Sequence, residues 1–145
     1  MTKEEQIQIK RKGYALAMRY LENANDALKN AVRNGKLFND PKYVSSASGI
    51  AYRGALVALD TWLQLKGIGL PKSNERGRKK GVSVDIYRKH LAKLDKKFLQ
   101  DYNILYDTLH LAGYYDCVLI TDTIDTGFAA VKNIIERINP EVQSA

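Results

Sequence analysis

At 145 residues with 45% hydrophobic side chains, the chain is long enough for one domain with a real core and too apolar for wholesale disorder. Its single cysteine, Cys117, excludes an intrachain disulfide framework and fits a reducing compartment. The net charge of +7 is local: residues 72–97 hold ten Lys/Arg and three Asp/Glu, which leaves the rest of the chain balanced.

MTKEEQIQIKRK at the N-terminus lacks the apolar centre of a signal peptide, and no apolar run approaches membrane-spanning length. The expectation is a soluble, cytoplasmic protein. The first helix is expected from about Lys3 to Arg33. Tyr14, Ala17, Met18, Leu21, Ala24, Leu28, Ala31 and Val32 form one stripe at helical spacing. Asn34-Gly35 supplies a left-handed stop. Asp40 then caps a second helix with Pro41 at its first position.

That second helix organises the chain. Val44, Ala47, Ala51, Ala55, Ala58, Leu59 and Trp62 follow one helical spacing, and Ile50, Leu56, Val57, Leu63 and Leu65 cover other faces. A helix apolar most of the way round sits at the centre of a bundle. Gly67 ends it, and the glycine-rich basic stretch 67–82 reads as a long mobile loop. This loop lacks the spacing of a phosphate-binding P-loop.

Ser83 is the expected next N-cap. From there Tyr87, Leu91, Leu94, Phe98, Tyr102, Leu105, Leu109 and Ala112 keep one stripe to Gly113. Periodicity allows one helix over 84–112, or two broken at Asp95 with Leu94 and Leu99 as a hydrophobic staple. Val118-Leu119-Ile120 has no evident partner strand and reads as a packed connection. A last helix is expected from about Thr123, with Ile124, Phe128, Val131, Ile135 and Ile138 buried and Pro140 just beyond its end. The sum is an all-α, antiparallel up-and-down bundle of four to five helices in one domain, 1–145.

Leu109-His110-Leu111-Ala112-Gly113-Tyr114-Tyr115-Asp116, followed by an amphipathic helix, resembles the end of a HEPN-like helical domain. Members often carry Leu-Arg-x-x-(Ala/Gly)-Asp-Tyr there. Tyr20-Leu21-Glu22-Asn23-Ala24 looks like that family's first helix, and the stretch from Tyr52 to Asp60 like its second. The resemblance spans roughly 14–138. It implies separate third and fourth helices, and so the break near Asp95. It also implies a homodimer, toxin-antitoxin-like company, and a small nucleotidyltransferase or a nucleic acid such as RNA as partner.

Catalytic members are metal-independent ribonucleases with an Arg-x(4–6)-His motif. Here Asn103, Ile104 and Leu105 precede His110 at that spacing, and Ser83, Val84 and Asp85 precede His90. The expected function is therefore a non-catalytic interaction or binding module. The alternative is a divergent ribonuclease or toxin-like enzyme in which His110 and Asp116 serve as acid and base. The plainer reading of that pair is a partly exposed His beside the core stripe.

Two histidines and one cysteine without ligand spacing predict no metal site, and no cofactor is expected. Cys117 reads as a connector thiol. Tyr106, Tyr114 and Tyr115 are the candidate interface, because tyrosine buries area while keeping a polar tip. Lys72, Arg76, Arg78, Lys79, Lys80, Arg88 and Lys89 are the candidate phosphate or nucleic-acid contacts. The plainer reading of that run is a solvated charged face.

Overall fold

A computed structural model describes residues 1–69 and 84–142. The expected all-α bundle is what the chain forms. Helix α1 (Lys3–Lys29) packs along α2 (Pro41–Leu65), and α2 also touches a later π-helix and α5 (Thr121–Glu136), so α2 is the central element. Helix α3 (Val84–Leu94) and α4 (Lys96–Leu105) complete the set, and α4 runs directly into the π-helix Tyr106–Tyr115.

Capping sets the helix ends. Thr2 accepts a hydrogen bond from the Glu5 N–H, and Asp40 from the Lys42 N–H at 3.0 Å. At the far end of α2, the Ile68 N–H reaches the Leu63 carbonyl and the Gly67 N–H reaches that of Gln64, both at 3.0 Å. This paired closure needs a left-handed residue, which Gly67 supplies at φ +81°.

Four boundaries differ from the sequence reading. Helix α1 stops at Lys29 and not near Arg33. Asn34-Gly35 is not its stop: Arg33–Asn34 (β1) and Leu37–Phe38 (β2) pair antiparallel, with Gly35 (φ +65°) opening the two-residue turn. Val118-Leu119-Ile120 does have a partner. Ile120 bridges Leu37, and the Phe38 N–H donates to the Leu119 carbonyl at 2.8 Å. This pairing fixes the chain just ahead of α5, which consequently begins at Thr121.

Asp95 does break 84–112. Its side chain caps α4 by accepting from the Phe98 N–H at 2.9 Å, and Arg137 of α5 holds the same carboxylate at 2.7 Å. Leu94 is 46% exposed, so it lies off the buried stripe. The fourth difference lies beyond Leu105. Gly113 does not end a helix there; the π-helix runs through it to Tyr115, with the Asp116 N–H closing on the Leu111 carbonyl.

The core joins Ala17, Leu21 and Ala24 of α1 with Ala47, Ala51, Ala55, Ala58 and Leu59 of α2. Leu91, Phe98, Tyr102, Leu105 and Leu109 close it from one side, and Ile124, Val131, Ile134 and Ile135 from another. The residues expected on the inner face of the last helix, Ile124, Phe128, Val131, Ile135 and Ile138, are all buried, Ile138 just past the end of α5. Among the described residues, no helix is long and apolar enough to cross a membrane.

Candidate functional site

The π-helix places an aromatic cluster at the surface. Its i→i+5 hydrogen bonding widens the turn, and residues four apart lie on one face along it, as they do on an α-helix. Leu105, Leu109 and Gly113 therefore all point inward, and Tyr106, His110 and Tyr114 share an adjoining face. Two close approaches hold this segment in place. A Cβ on Gly113 would strike Ser48 of α2, and one on Gly127 of α5 would strike Thr108 and Leu109. Thr108 also donates its hydroxyl to the Ile104 carbonyl at 2.7 Å, a local bond that competes with regular α-helix geometry where the turn widens.

His110 lies at the centre of the cluster. Its ring stacks on Tyr52 of α2 at 4.7 Å and 23°. Tyr106 lies 5.2 Å away, Tyr114 6.3 Å, and Tyr115 meets it edge-on at 5.2 Å and 90°. Tyr114 rests against Gly49, and the Ser45 hydroxyl donates to the Tyr114 carbonyl at 3.2 Å. The rings continue inward through Tyr102, 6.3 Å from Tyr106, to Tyr87, 5.5 Å from Tyr102. Burial is graded along this path. Tyr87 and Tyr102 are enclosed, Tyr52, Tyr106 and His110 are half-buried, and Tyr114 and Tyr115 are 48% and 66% exposed.

The polar tips of the inner rings are satisfied. The hydroxyls of Tyr52 and Tyr102 share a 3.2 Å hydrogen bond, and Tyr87 donates to Asp60 at 2.6 Å. Burial, and then these hydrogen bonds, push the Tyr52 and Tyr87 hydroxyls far above the usual tyrosine range, so both stay protonated. Burial lowers the His110 pKa below 6.5, which keeps its imidazole neutral at pH 7. Arg88 of α3 covers Tyr106 at 5.1 Å, and its Nε donates to Asn103 at 2.8 Å.

A family model described as a domain of unknown function (DUF5618) matches residues 12–140. The chain belongs to that family. A protein of unknown function from Dyadobacter fermentans has a similar structure, with a TM-score of 0.73 and 31% sequence identity. The match covers 89% of this chain and 94% of that one. No curated protein matches the sequence. In this DUF5618 chain the matched region includes every ring of the cluster.

The structure brings Tyr106, Tyr114 and Tyr115 together as the sequence suggested, and adds His110 to them. His110 and Asp116 are not joined: no hydrogen bond or ion pair links them among the described residues, and aromatic rings are what surround the imidazole. Asp116 is exposed at the end of the π-helix. Cys117 is exposed in a left-handed conformation, φ +52°, as the chain turns toward α5. Of the basic candidates, Arg88 and Lys89 lie on α3. Lys72, Arg76, Arg78, Lys79 and Lys80 lie outside the described residues, as does the expected cap Ser83.

Tyr52 and Asn103 are participants that the sequence reading did not select. The usable signal was the doubled i+4 spacing of Tyr106, His110 and Tyr114. Residues four apart share a helical face, so that spacing by itself marks the three as neighbours. A groove of about 560 Å³ opens between α1 and α2, bordered by Ile9, Lys12, Leu16, Val57 and Asp60. Among the described residues no group of acidic, His and Cys side chains has the arrangement to hold a metal ion.

Proposed function

We propose that this chain is a non-catalytic, HEPN-like binding module that works by contact and not by chemistry, and that it acts as a homodimer. The supporting observation is the aromatic ledge of Tyr106, His110, Tyr114 and Tyr115, which is fixed to the bundle at one end and open to solvent at the other. Tyrosines in this graded setting suit a partner surface: they offer area with little rotamer entropy to lose. By resemblance, the further partner is a small nucleotidyltransferase or a nucleic acid. Arg88 and Lys89, next to the basic run in sequence, are the contacts suited to the latter.

One observation favours a second reading, a divergent metal-independent ribonuclease. The lowered pKa of His110 makes it a proton acceptor at neutral pH. Against it, the imidazole has rings as neighbours where an acid–base pair needs a carboxylate or a cation. The two readings separate when labelled single-stranded RNA is incubated without metal at low and near-physiological salt. The binding-module reading expects intact RNA, and any association to weaken steeply with salt. Cleavage that disappears in His110→Ala would overturn it.

A further inference from the structure

Helices α3 and α4 fold back on each other about Asp95. The Tyr87 and Tyr102 rings lie 5.5 Å apart, and the Arg88 Nε donates to Asn103 at 2.8 Å, so residues on either side of Asp95 meet in pairs. Asp95 is the corner of this hairpin. Around it stand Lys89, Lys93, Lys96 and Lys97, all exposed. Helical spacing sets their direction. Lys89, Lys93 and Lys96 are each two residues from a buried side chain of the same helix, Tyr87, Leu91 and Phe98 respectively, which is about 200° round the axis. They therefore point away from the core, and Lys97 adjoins Lys96.

None of the four lysines has a carboxylate partner among the described residues. Between Lys89 and Lys97 the one acidic residue is Asp95, and Arg137 already holds it. Of the other acids on the two helices, Asp101 is buried and Asp85 lies in the first turn of α3, about 15 Å along the helix from the corner. The corner is therefore a compact cationic surface, and its complement is a polyanion.

The rings decide which polyanion. The aromatic side chains of α3 and α4 are Tyr87, Phe98 and Tyr102, and all three are buried. A single strand is held by stacking its bases on exposed rings as well as by charge, and this surface offers it none. A duplex hides its base faces and presents a dense row of phosphates, which lysines can neutralise without reading sequence. An anionic bilayer shares the charge, but docking there also buries an apolar face. Among the described residues at the corner, Leu94 alone is a large apolar side chain open to solvent, at 46% exposure.

We infer that the α3–α4 corner docks on the backbone of a nucleic-acid duplex through Lys89, Lys93, Lys96 and Lys97, by phosphate charge and without base reading. This rests on the nucleic-acid partner named above and specifies its form and the surface that meets it.

The test measures binding of the full chain to a short labelled DNA duplex, and to one of its strands, by fluorescence anisotropy across a salt series. Wild type should prefer the duplex. Changing all four lysines to Gln should flatten the slope of log affinity against log salt by about 3–4 and weaken duplex binding about a hundredfold or more at about 0.1 M salt. Changing all four to Arg keeps the charge and should keep the binding. Far-UV circular dichroism checks the fold, and Lys93→Glu alone, about tenfold weaker, reads the same effect if the Gln set does not fold. Duplex binding that a folded Gln set leaves unchanged overturns the inference and leaves the nucleic-acid reading in place. A wild type that prefers the single strand, or that binds phosphatidylserine vesicles in preference to the duplex, also overturns it. No binding to either nucleic acid at low salt overturns the inference and the nucleic-acid partner together.

Discussion

Helix α2 meets its neighbours in two ways. Toward α1 it presents small residues, and the helices nearly touch. A Cβ added at Gly54 would lie 2.9 Å from the Tyr20 Cβ and 3.2 Å from the Ala17 carbonyl, and one at Gly13 would collide with Thr61. Toward the π-helix it presents Tyr52 and the open side of Gly49, and rings fill the space. The first seam is closed by backbone approach at Gly54 and Gly13. The second runs from enclosed to exposed and ends in rings open to solvent. The difference shows that one helix can serve as core and as pedestal, depending on what it faces.

The inner end of the ring path should behave as core. Tyr102→Ala removes a fully buried ring and should cost about 4 kcal/mol in urea unfolding. At the small-residue seam, Gly54→Ala drives a Cβ against the Tyr20 Cβ and the Ala17 carbonyl, with an expected loss of about 2 kcal/mol. The matching change on the ring side, Gly49→Ala, meets only the exposed Tyr114 ring at 3.1 Å. That ring can shift, and the added helix propensity offsets the crowding, so stability should stay within about 1 kcal/mol of wild type. Equal costs at Gly54 and Gly49 would break the comparison.

Asp95 directs α4 toward the ring side, and Asp95→Ala should lose about 2 kcal/mol with the cap and the Arg137 pair. The Arg137 bond holds its pKa below the ordinary 3.8. Its contribution is therefore complete above that value and lost as pH falls through the lower folded-state pKa, while the variant shows no such loss.

A smaller effect is expected at His110. Its folded pKa lies below 6.5, so as pH drops below 6.5 the unfolded chain takes up a proton that the folded chain does not. Stability should decline across that interval, and His110→Gln should flatten the decline. An NMR titration that places the His110 pKa above 6.5 would contradict the half-buried position of its ring among the tyrosines.

Much of the bundle was legible in the sequence because its causes are local. Asp40-Pro41, Gly67 and Asp95 set boundaries through their own side chains or backbone, and α5 announced its buried face by spacing alone. Asn34-Gly35 was misread because the same dipeptide ends helices and turns hairpins; what decides is the pairing of Arg33–Asn34 with Leu37–Phe38, and of Leu37 with Ile120. The tyrosine ledge was half legible. Tyr106, Tyr114 and Tyr115 stood out as excess aromatics, but what their face meets depends on how this segment seats against Ser48 and Gly127, two contacts distant in sequence. Tyr52 was hidden for the same reason: it joins the ledge from across the helix–helix contact.

The most direct test is sedimentation equilibrium on wild type and on the double variant Tyr114→Ser/Tyr115→Ser, paired with thermal unfolding of both. These two side chains are the exposed end of the ledge and lose only their ring contacts with His110 and each other, so removing them should cost about 1–2 kcal/mol once unfolding is compared at concentrations where both are monomeric. A surface built for contact predicts twice the chain mass for wild type and a folded monomer for the variant. A variant that is folded and still dimeric, or a wild type that never exceeds the mass of one chain, would contradict the account.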